Sequence, residues 1–231
     1  MKVIIMTAVV LFFFVNSTLV KKSIAPSKSF HSAYDMIAEG QSLVKEGDVV
    51  VRLNRCQSSR FIKNFSRVDK RYSHSGIVLF ENGYPYVYHI LDGSENPNGK
   101  LRKDSLIRFC NPKYNSEFGI YRYDMNEGEI NALRSVVHRW YQDGVRFDAA
   151  YDLSTDDKMY CSEMVSKALR RSTNNRISIR AIGLSKVEAG AMALFCHLPL
   201  EYTSHLELVP IDALYCHPLC HVVRNYDYSV R

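Results

Sequence analysis

The chain has 231 residues, of which 46% are hydrophobic and 23% are charged, as in an ordinary folded globular protein. No internal repeat at the period of a solenoid is present, which excludes the repeat architectures. The net charge of +6 is spread along the chain, and no aromatic-plus-basic motif of an RNA-binding fold occurs. The composition therefore argues against nucleic acid as a partner.

The N-terminus has the pattern of an export signal. Met1 and Lys2 precede VIIMTAVVLFFFV, an uncharged apolar run of 13 residues, and NSTLVKK follows it. A short positive start and an apolar run of this length are typical of a signal peptide, whereas a spanning helix needs about 20 residues. We predict a signal peptide or N-terminal membrane anchor over residues 1–17, and a single domain over residues 30–231. The expected location is the periplasm or cell envelope.

The remaining elements alternate between apolar strand patterns and helical spacing. Residues 31–45 predict a short amphipathic helix, and EGDVVVRL predicts a strand. YSHSGIVLFENGYPYVYHIL predicts two strands joined at Asn82-Gly83, a strong hairpin signal. FGIYRY predicts another strand, the apolar spacing of NEGEINALRSVVHRWYQ predicts a helix, and a polar loop leads to a further helix at MYCSEMV. Because strands precede helices, we expect an α+β fold with an antiparallel sheet.

The hairpin places two histidines on one face. A two-residue turn at Asn82-Gly83 pairs Gly76 with His89. Side chains alternate along strands, so His74 and His89 become diagonal neighbours, about 7–8 Å apart along the backbone. Gly76 leaves the space across from His89 open. Two imidazoles in this arrangement supply a base and a residue that orients it.

Cys161 lies at the predicted first turn of a helix. Backbone N–H groups at a helix start favour a thiolate, so the position predicts a nucleophile of low pKa. A buried structural thiol is the alternative. Glu163 is predicted to be a helix-start carboxylate that the helix dipole favours, rather than a catalytic acid.

Several segments resemble a known family. GDVVVRL, RYSHSGIVLFENGYPYVYHI, FDAAYDLSTDDKMYCSEMV and LVPIDALYCHPL are similar to the YiiX-like branch of permuted NlpC-type, papain-like cysteine hydrolases. In this branch the strand histidine comes before the cysteine of Y-C-S-E, which reverses the papain order. The resemblance implies a circularly permuted papain-like fold of the α+β class, with an antiparallel sheet packed against helices that include the nucleophile helix.

The resemblance also implies roles for individual residues. Cys161 becomes the nucleophile, His74 the general base and His89 the third polar residue, which orients His74. Many YiiX-like members carry an acidic residue at that third position, whereas the lecithin:retinol acyltransferase relatives have a His-His-Cys set. The implied chemistry is acyl transfer through a thioester, without a cofactor or metal. Tyr72, two residues before His74, is a candidate oxyanion donor beside the Cys161 backbone N–H.

Three functions remain open from the sequence. The favoured one is a cysteine peptidase or amidase acting on peptides, with peptidoglycan as a candidate substrate because related NlpC-type enzymes cleave there. A lipid-directed acyl hydrolase or acyltransferase is the alternative, favoured by His89 and by membrane association through the N-terminal segment. A non-catalytic binding module is the third, and the intact pair of Cys161 and His74 argues against it.

The other cysteines show no framework-like spacing; they are Cys56, Cys110, Cys196, Cys216 and Cys220. Cys216 and Cys220, each followed by a histidine, allow a zinc site, and the other possibility is a Cys216–Cys220 disulfide or a disulfide that involves Cys196. Zinc is disfavoured, since the side chains of adjacent Cys-His residues point in different directions and Pro218 constrains the loop.

Overall fold

The computed structural model describes residues 32–94 and 96–229. The signal peptide or anchor predicted over residues 1–17 lies outside these ranges. Within them, no helix combines the length and the apolar character needed to cross a bilayer.

The described chain folds into the following elements. The helices are α1 (Ala33–Leu43), α2 (Gln57–Ile62), α3 (Leu106–Phe109), α4 (Glu127–Asp143), α5 (Cys161–Ser172), α6 (Lys186–Cys196), α7 (Leu200–Thr203) and α8 (Ile211–Tyr215), with a 3₁₀ turn at Lys63–Phe65. The strands are β1 (Val49–Asn54), β2 (His74–Glu81), β3 (Tyr84–His89), β4 (Arg102–Ser105), β5 (Asn115–Tyr123), β6 (Arg146–Phe147), β7 (Lys158–Met159), β8 (Ile182–Gly183), β9 (Glu207–Leu208) and β10 (Cys220–Asp227).

The main sheet has six strands in the order β10-β5-β1-β2-β3-β4, and all neighbouring strands in it are antiparallel. The predicted α+β fold with an antiparallel sheet is thereby confirmed. The predicted hairpin register is also confirmed, because Glu81 pairs with Tyr84 and Ile77 pairs with Tyr88. Residues Cys220–Asp227 near the C-terminus, for which no element was predicted, supply the edge strand β10.

Both faces of the sheet are covered by helices. Val49 and Val51 belong to a buried cluster that includes residues of α4 and α5. Val50, between them, belongs to a second cluster with residues of α1 and α3. Because successive side chains of a strand point to opposite faces, a strand covered on both sides carries consecutive apolar residues, as β1 does over residues 49–51.

The absence of a side chain at Gly76 allows β2 and β3 to approach each other, and the space across from His89, predicted to be open, is filled by β3. A Cβ atom at Gly76 would lie 2.5 Å from Val87 Cγ1, 2.8 Å from the Tyr88 carbonyl oxygen and 3.1 Å from His89 Cβ. Contacts this short force the backbone or the neighbouring side chain to move. Gly76 therefore sets the distance between the two strands that carry the histidines.

We expect Gly76→Ala to lower the free energy of unfolding by about 1–3 kcal/mol, because the added methyl group overlaps β3. Thermal unfolding followed by circular dichroism measures this effect. Gly183→Ala is the matched control, since a Cβ atom there meets nothing within 4 Å. Equal losses of Tm in the two variants would contradict the prediction.

Candidate active site

Cys161 is the first residue of α5, as the sequence predicted. Its side chain is 9% exposed. At the same helix start, the Glu163 carboxylate accepts a hydrogen bond from the Tyr160 backbone N–H at 3.1 Å and pairs with Lys167 at 2.7 Å. Glu163 thus caps the helix that carries the thiol, as the sequence predicted, but burial raises the pKa of its carboxyl to about 7 and outweighs the helix dipole.

His74 and His89 contact each other directly. His74 opens β2 and His89 ends β3, so the antiparallel register brings the two side chains to one face. Nε2 of His74 and Nδ1 of His89 are 2.9 Å apart, within hydrogen-bond distance. Both rings also pack against Phe109 of α3, which helps to hold them in place.

The hydrogen-bonded pair continues to a carboxylate that the sequence analysis missed. Asp104 of β4 lies opposite Val87, and Arg102 lies opposite His89, so Asp104 is a diagonal neighbour of His89. Its Oδ2 is 3.1 Å from His89 Nε2. Its Oδ1 pairs with Arg102 at 2.6 Å and with Arg108 at 3.3 Å. The segment LRKDS that contains β4 lacks alternating apolar residues, so no pattern in the sequence indicated a strand there.

Burial controls the protonation of the two histidines. Burial, assisted by the charges of Arg52 and Arg102, holds the pKa of His74 well below its ordinary value. Burial likewise lowers the pKa of His89 to about 4, although the hydrogen bond with Asp104 acts in the opposite direction. Burial alone would raise the pKa of Asp104, but its bonds with His89 and Arg102 lower it to about 2. At neutral pH both imidazoles are therefore neutral and Asp104 is ionised.

The Cys161 thiol is also neutral at rest. Burial raises its pKa, and hydrogen bonding to Ser75 and to the Ser162 backbone, with the charge of Arg52, offsets this only in part. The predicted low-pKa thiolate is therefore wrong for this structure. The helix start does favour the anion, but desolvation of the thiol outweighs that effect.

One cavity of about 550 Å³ is shared by the Cys161 thiol and the His74 imidazole. Cys161 and His74 line it together with apolar side chains that include Phe65, Ile90 and Phe195. The structure records no hydrogen bond between Cys161 and His74. Nδ1 of His74, the nitrogen not used toward His89, has no hydrogen-bond partner among the described residues. It is the atom that can accept a proton from a group in the cavity.

Tyr72 is not brought to this cavity. Its hydroxyl donates a hydrogen bond to Asn225 Oδ1 at 3.1 Å, and its ring packs against Tyr121 and Tyr215. The candidate oxyanion donor was placed by extending the strand alternation back from His74. Because β2 begins at His74, that alternation does not continue to Tyr72, and the side chain packs in the buried cluster that also contains Tyr121, Tyr215 and Cys161 without lining the cavity.

A different tyrosine lines the cavity. Tyr151 has a backbone φ of 58°, a left-handed conformation that is rare for a bulky residue. The buried Asp148 carboxylate holds this turn by accepting hydrogen bonds from the backbone N–H groups of Ala150 and Asp152. Burial raises the pKa of Tyr151, so its hydroxyl stays a hydrogen-bond donor. No pattern in the sequence indicated the left-handed turn.

The segment of residues 210–214, within LVPIDALYCHPL, forms another part of the cavity wall. Asp212 is buried, and its Oδ2 accepts hydrogen bonds from the backbone N–H groups of Arg67, Val68 and Asp69 at 2.7, 2.5 and 3.2 Å. Pro210 and Ile211, just before it, line the cavity. Asp212 therefore fixes a loop rather than taking part in chemistry.

The six cysteines are all free thiols in the structure, so neither of the disulfides considered from the sequence is formed. Cys56 differs from the others, because it is exposed and lines the same cavity as Cys161. Partial burial alone would raise its pKa, but hydrogen bonds with Ser58 and Ser59 produce a net lowering.

We expect iodoacetamide to alkylate Cys56 before Cys161 at pH 6 to 7, because the pKa of Cys56 is lowered and that of Cys161 is raised. Alkylation of Cys161 should accelerate only as the pH rises above the ordinary thiol range. Peptide mass spectrometry over a pH series measures both rates, and the fully buried Cys110 is the unreactive control. Faster labelling of Cys161 than of Cys56 at pH 6 would show a preformed thiolate and contradict the prediction.

Comparison with known proteins places this geometry in a family. A family model described as "Permuted papain-like amidase enzyme, YaeF/YiiX, C92 family" matches residues 43–207. The chain is 26% identical over 136 residues to the uncharacterized protein YiiX of Escherichia coli strain K12, over 57% of this chain. The match spans 60% of the length of that relative.

A solved structure shares the fold. The crystal structure of the metalloprotein yiiX from Escherichia coli O157:H7 has a TM-score of 0.66 at 19% identity, and the match covers 80% of this chain and 98% of that one. In the described ranges of the present chain, no three His, Cys, Asp or Glu side chains are grouped so that they could hold a metal ion. The His, Cys, Asp and Glu side chains of the described residues therefore do not fit a metal centre, and we assign no reaction step to a metal ion.

The matched region begins at the end of α1 and reaches β9, so it contains the cysteine, both histidines and Asp104. At the level of the family, the activity is that of a cysteine-type amidase or peptidase. The chain belongs to the permuted papain-like amidase family that includes YaeF and YiiX.

Proposed function

We propose that the protein cleaves amide bonds through a thioester, with Cys161 as nucleophile, His74 as general base and His89 as the residue that orients His74. The observation that carries this proposal is the bonded imidazole pair beside a cavity that the first-turn thiol of α5 also lines. A thiol at a helix start and a base oriented by a third group are the parts that nucleophilic catalysis needs.

Acylation begins as Cys161 Sγ attacks the substrate carbonyl carbon. His74 Nδ1 takes the thiol proton while the carbon–sulfur bond forms. The negative charge that develops on the carbonyl oxygen is stabilised by the backbone N–H groups at the start of α5. His74 then gives its proton to the leaving nitrogen, the carbon–nitrogen bond breaks, and an amine leaves the thioester behind.

Deacylation repeats these steps with water. His74 Nδ1 removes a proton from the water molecule as its oxygen attacks the thioester carbon. The carbon–sulfur bond breaks, the proton returns to sulfur, and a carboxylic acid leaves. The base acts twice in one cycle and ends neutral, which suits an imidazole whose pKa is held low by burial.

The favoured substrate is a peptide amide, with peptidoglycan as the first candidate, and the expected location is the cell envelope. The family model, which describes amidases, supports the bond type. The apolar N-terminal run with its lysine supports export. Polar side chains also line the cavity beside its apolar walls, as expected for a site that takes a peptide; they include Arg52, Asn54, Ser58 and Ser73.

We expect peptidoglycan fragments to form a transient acyl adduct on Cys161, detected by intact-protein mass spectrometry after acid quenching. Cys161→Ala should form none, and His74→Ala should form it about 10²–10⁴-fold more slowly, because the general base is lost. Cys56→Ser, which alters the same cavity without removing the nucleophile, is the control and should retain the wild-type rate. An adduct in Cys161→Ala would overturn the assignment of the nucleophile.

A lipid-directed acyl hydrolase or acyltransferase is the second candidate, favoured by the surface next to the cavity. Val187 and Leu194 of α6 are 83% and 81% exposed, and Leu200 of α7 is 59% exposed. Phe195 and Cys196 at the end of α6 line the cavity. An apolar helix face at the mouth of a largely apolar cavity is the arrangement expected of an enzyme that draws an acyl chain from a lipid surface.

If lipids are the substrates, Val187→Glu with Leu194→Glu should reduce co-sedimentation with anionic phospholipid vesicles several-fold, because two apolar contacts become charged. The same double variant should retain acylation by a soluble activated ester. Leu43→Glu, at an exposed position of α1, is the control. No binding of the wild-type protein to vesicles, or equal binding by the double variant, would argue for the peptide substrate.

A further inference from the structure

We propose that Asp104 is a positioning residue for the base, and that it fixes the tautomers of both histidines in series. This inference rests on the proposed function, because it assigns a reason for the protonation state that His74 needs. The sequence motifs that identify the nucleophile and the base do not include Asp104.

Asp104 is suited to act only as an acceptor toward His89. Its Oδ1 is occupied by Arg102 and Arg108, while Oδ2 faces His89 Nε2 at 3.1 Å. Two guanidinium groups hold the carboxylate ionised. An ionised carboxylate has no proton to give, so His89 Nε2 must carry the hydrogen of this bond.

The tautomer of His89 determines the tautomer of His74. A neutral imidazole carries one N–H, so protonation of His89 at Nε2 leaves its Nδ1 as an acceptor. The partner of that acceptor is His74 Nε2 at 2.9 Å, which must then carry the hydrogen. His74 is therefore left with an unprotonated Nδ1, the atom required to take the thiol proton.

Asp104 also supplies what a histidine at the third position lacks. A neutral His89 can orient His74 but brings no fixed negative charge to balance the imidazolium that forms during acylation. Asp104, one hydrogen bond further away, provides that charge. The other charged groups around the pair are the guanidinium groups of Arg52, Arg102 and Arg108, and they disfavour an imidazolium.

A purely structural role is the competing explanation, since Asp104 also pairs with two arginines. The two explanations predict different histidine tautomers for the Asp104→Asn variant. Arg102 and Arg108 both contact Oδ1, so they should keep the amide oxygen on their side and turn the amide nitrogen toward His89. An N–H donor facing His89 Nε2 reverses both hydrogen bonds in the series and places the proton on His74 Nδ1.

The test combines kinetics with histidine tautomers. In the wild-type protein, ¹⁵N NMR should show both His74 and His89 protonated at Nε2 and not at Nδ1. In Asp104→Asn the proton should move to Nδ1 in both rings, and acylation by an activated ester should fall by about 100-fold or more, as expected when a base holds its proton on the wrong nitrogen. Asp104→Glu, which keeps a carboxylate, should recover part of the rate.

Glu81→Gln is the control. It alters the carboxylate that Lys103 of β4 contacts and leaves Asp104 and its arginine partners in place. This variant should stay within about threefold of the wild-type rate and keep Nε2 protonation, because it does not change the bond to His89.

Two results would overturn the inference. One is wild-type His74 protonated at Nδ1, which needs no variant and stands even if Asp104→Asn fails to fold. The other is a folded Asp104→Asn variant that acylates at the wild-type rate. Cys161→Ala and His74→Ala distinguish failure of this inference from failure of the proposed function. If both variants are inactive while Asp104→Asn is fully active, only the inference about Asp104 fails. If Cys161→Ala is itself acylated, the proposed function fails.

Discussion

The antiparallel pairing of β2, β3 and β4 is the constraint on which the site depends. It places His74, His89 and Asp104 on one face of three neighbouring strands, each within reach of the next. Since side chains alternate along a strand, a slip of one residue in β3 would turn His89 toward the opposite core and break both bonds. Gly76 permits the close approach of the strands, and the turn after Glu81 sets the register.

Burial then decides the chemistry of the resting site. Desolvation opposes the charged forms of both the Cys161 thiol and the His74 imidazole, so the pair rests without net charge. The nearby guanidinium groups favour negative charge on sulfur or on a substrate oxygen and disfavour positive charge on the base. In the mechanism that we propose, proton transfer therefore accompanies attack on the carbonyl, as in a serine hydrolase, rather than preceding it.

The sequence was sufficient for the parts of this arrangement that depend on local patterns. Asn82-Gly83 predicted the turn and hence the contact between His74 and His89, and the change from polar loop to helical spacing predicted the start of α5 at Cys161. Asp104 was missed because β4 has no apolar alternation, and its contact with His89 depends on strand pairing distant in sequence.

Other features of the site were not predicted from the sequence, for related physical reasons. Tyr72 was misplaced because alternation stops where β2 begins, and the left-handed turn at Tyr151 depends on the buried Asp148. The desolvation of Cys161 could not be foreseen from its place at a helix start. It results from the packing of α5 against the sheet, where Ser75 of β2 lies next to the thiol.

The exposed thiol of Cys56 has a consequence for the design of inhibitors. It lines the same cavity as Cys161 but remains open to solvent, and hydrogen bonds to two serines favour its reactive form. An electrophilic compound would react with this residue first and would then occupy the cavity without modifying Cys161. Loss of activity on treatment with such a compound would therefore identify the cavity and not the thiol that carries the chemistry.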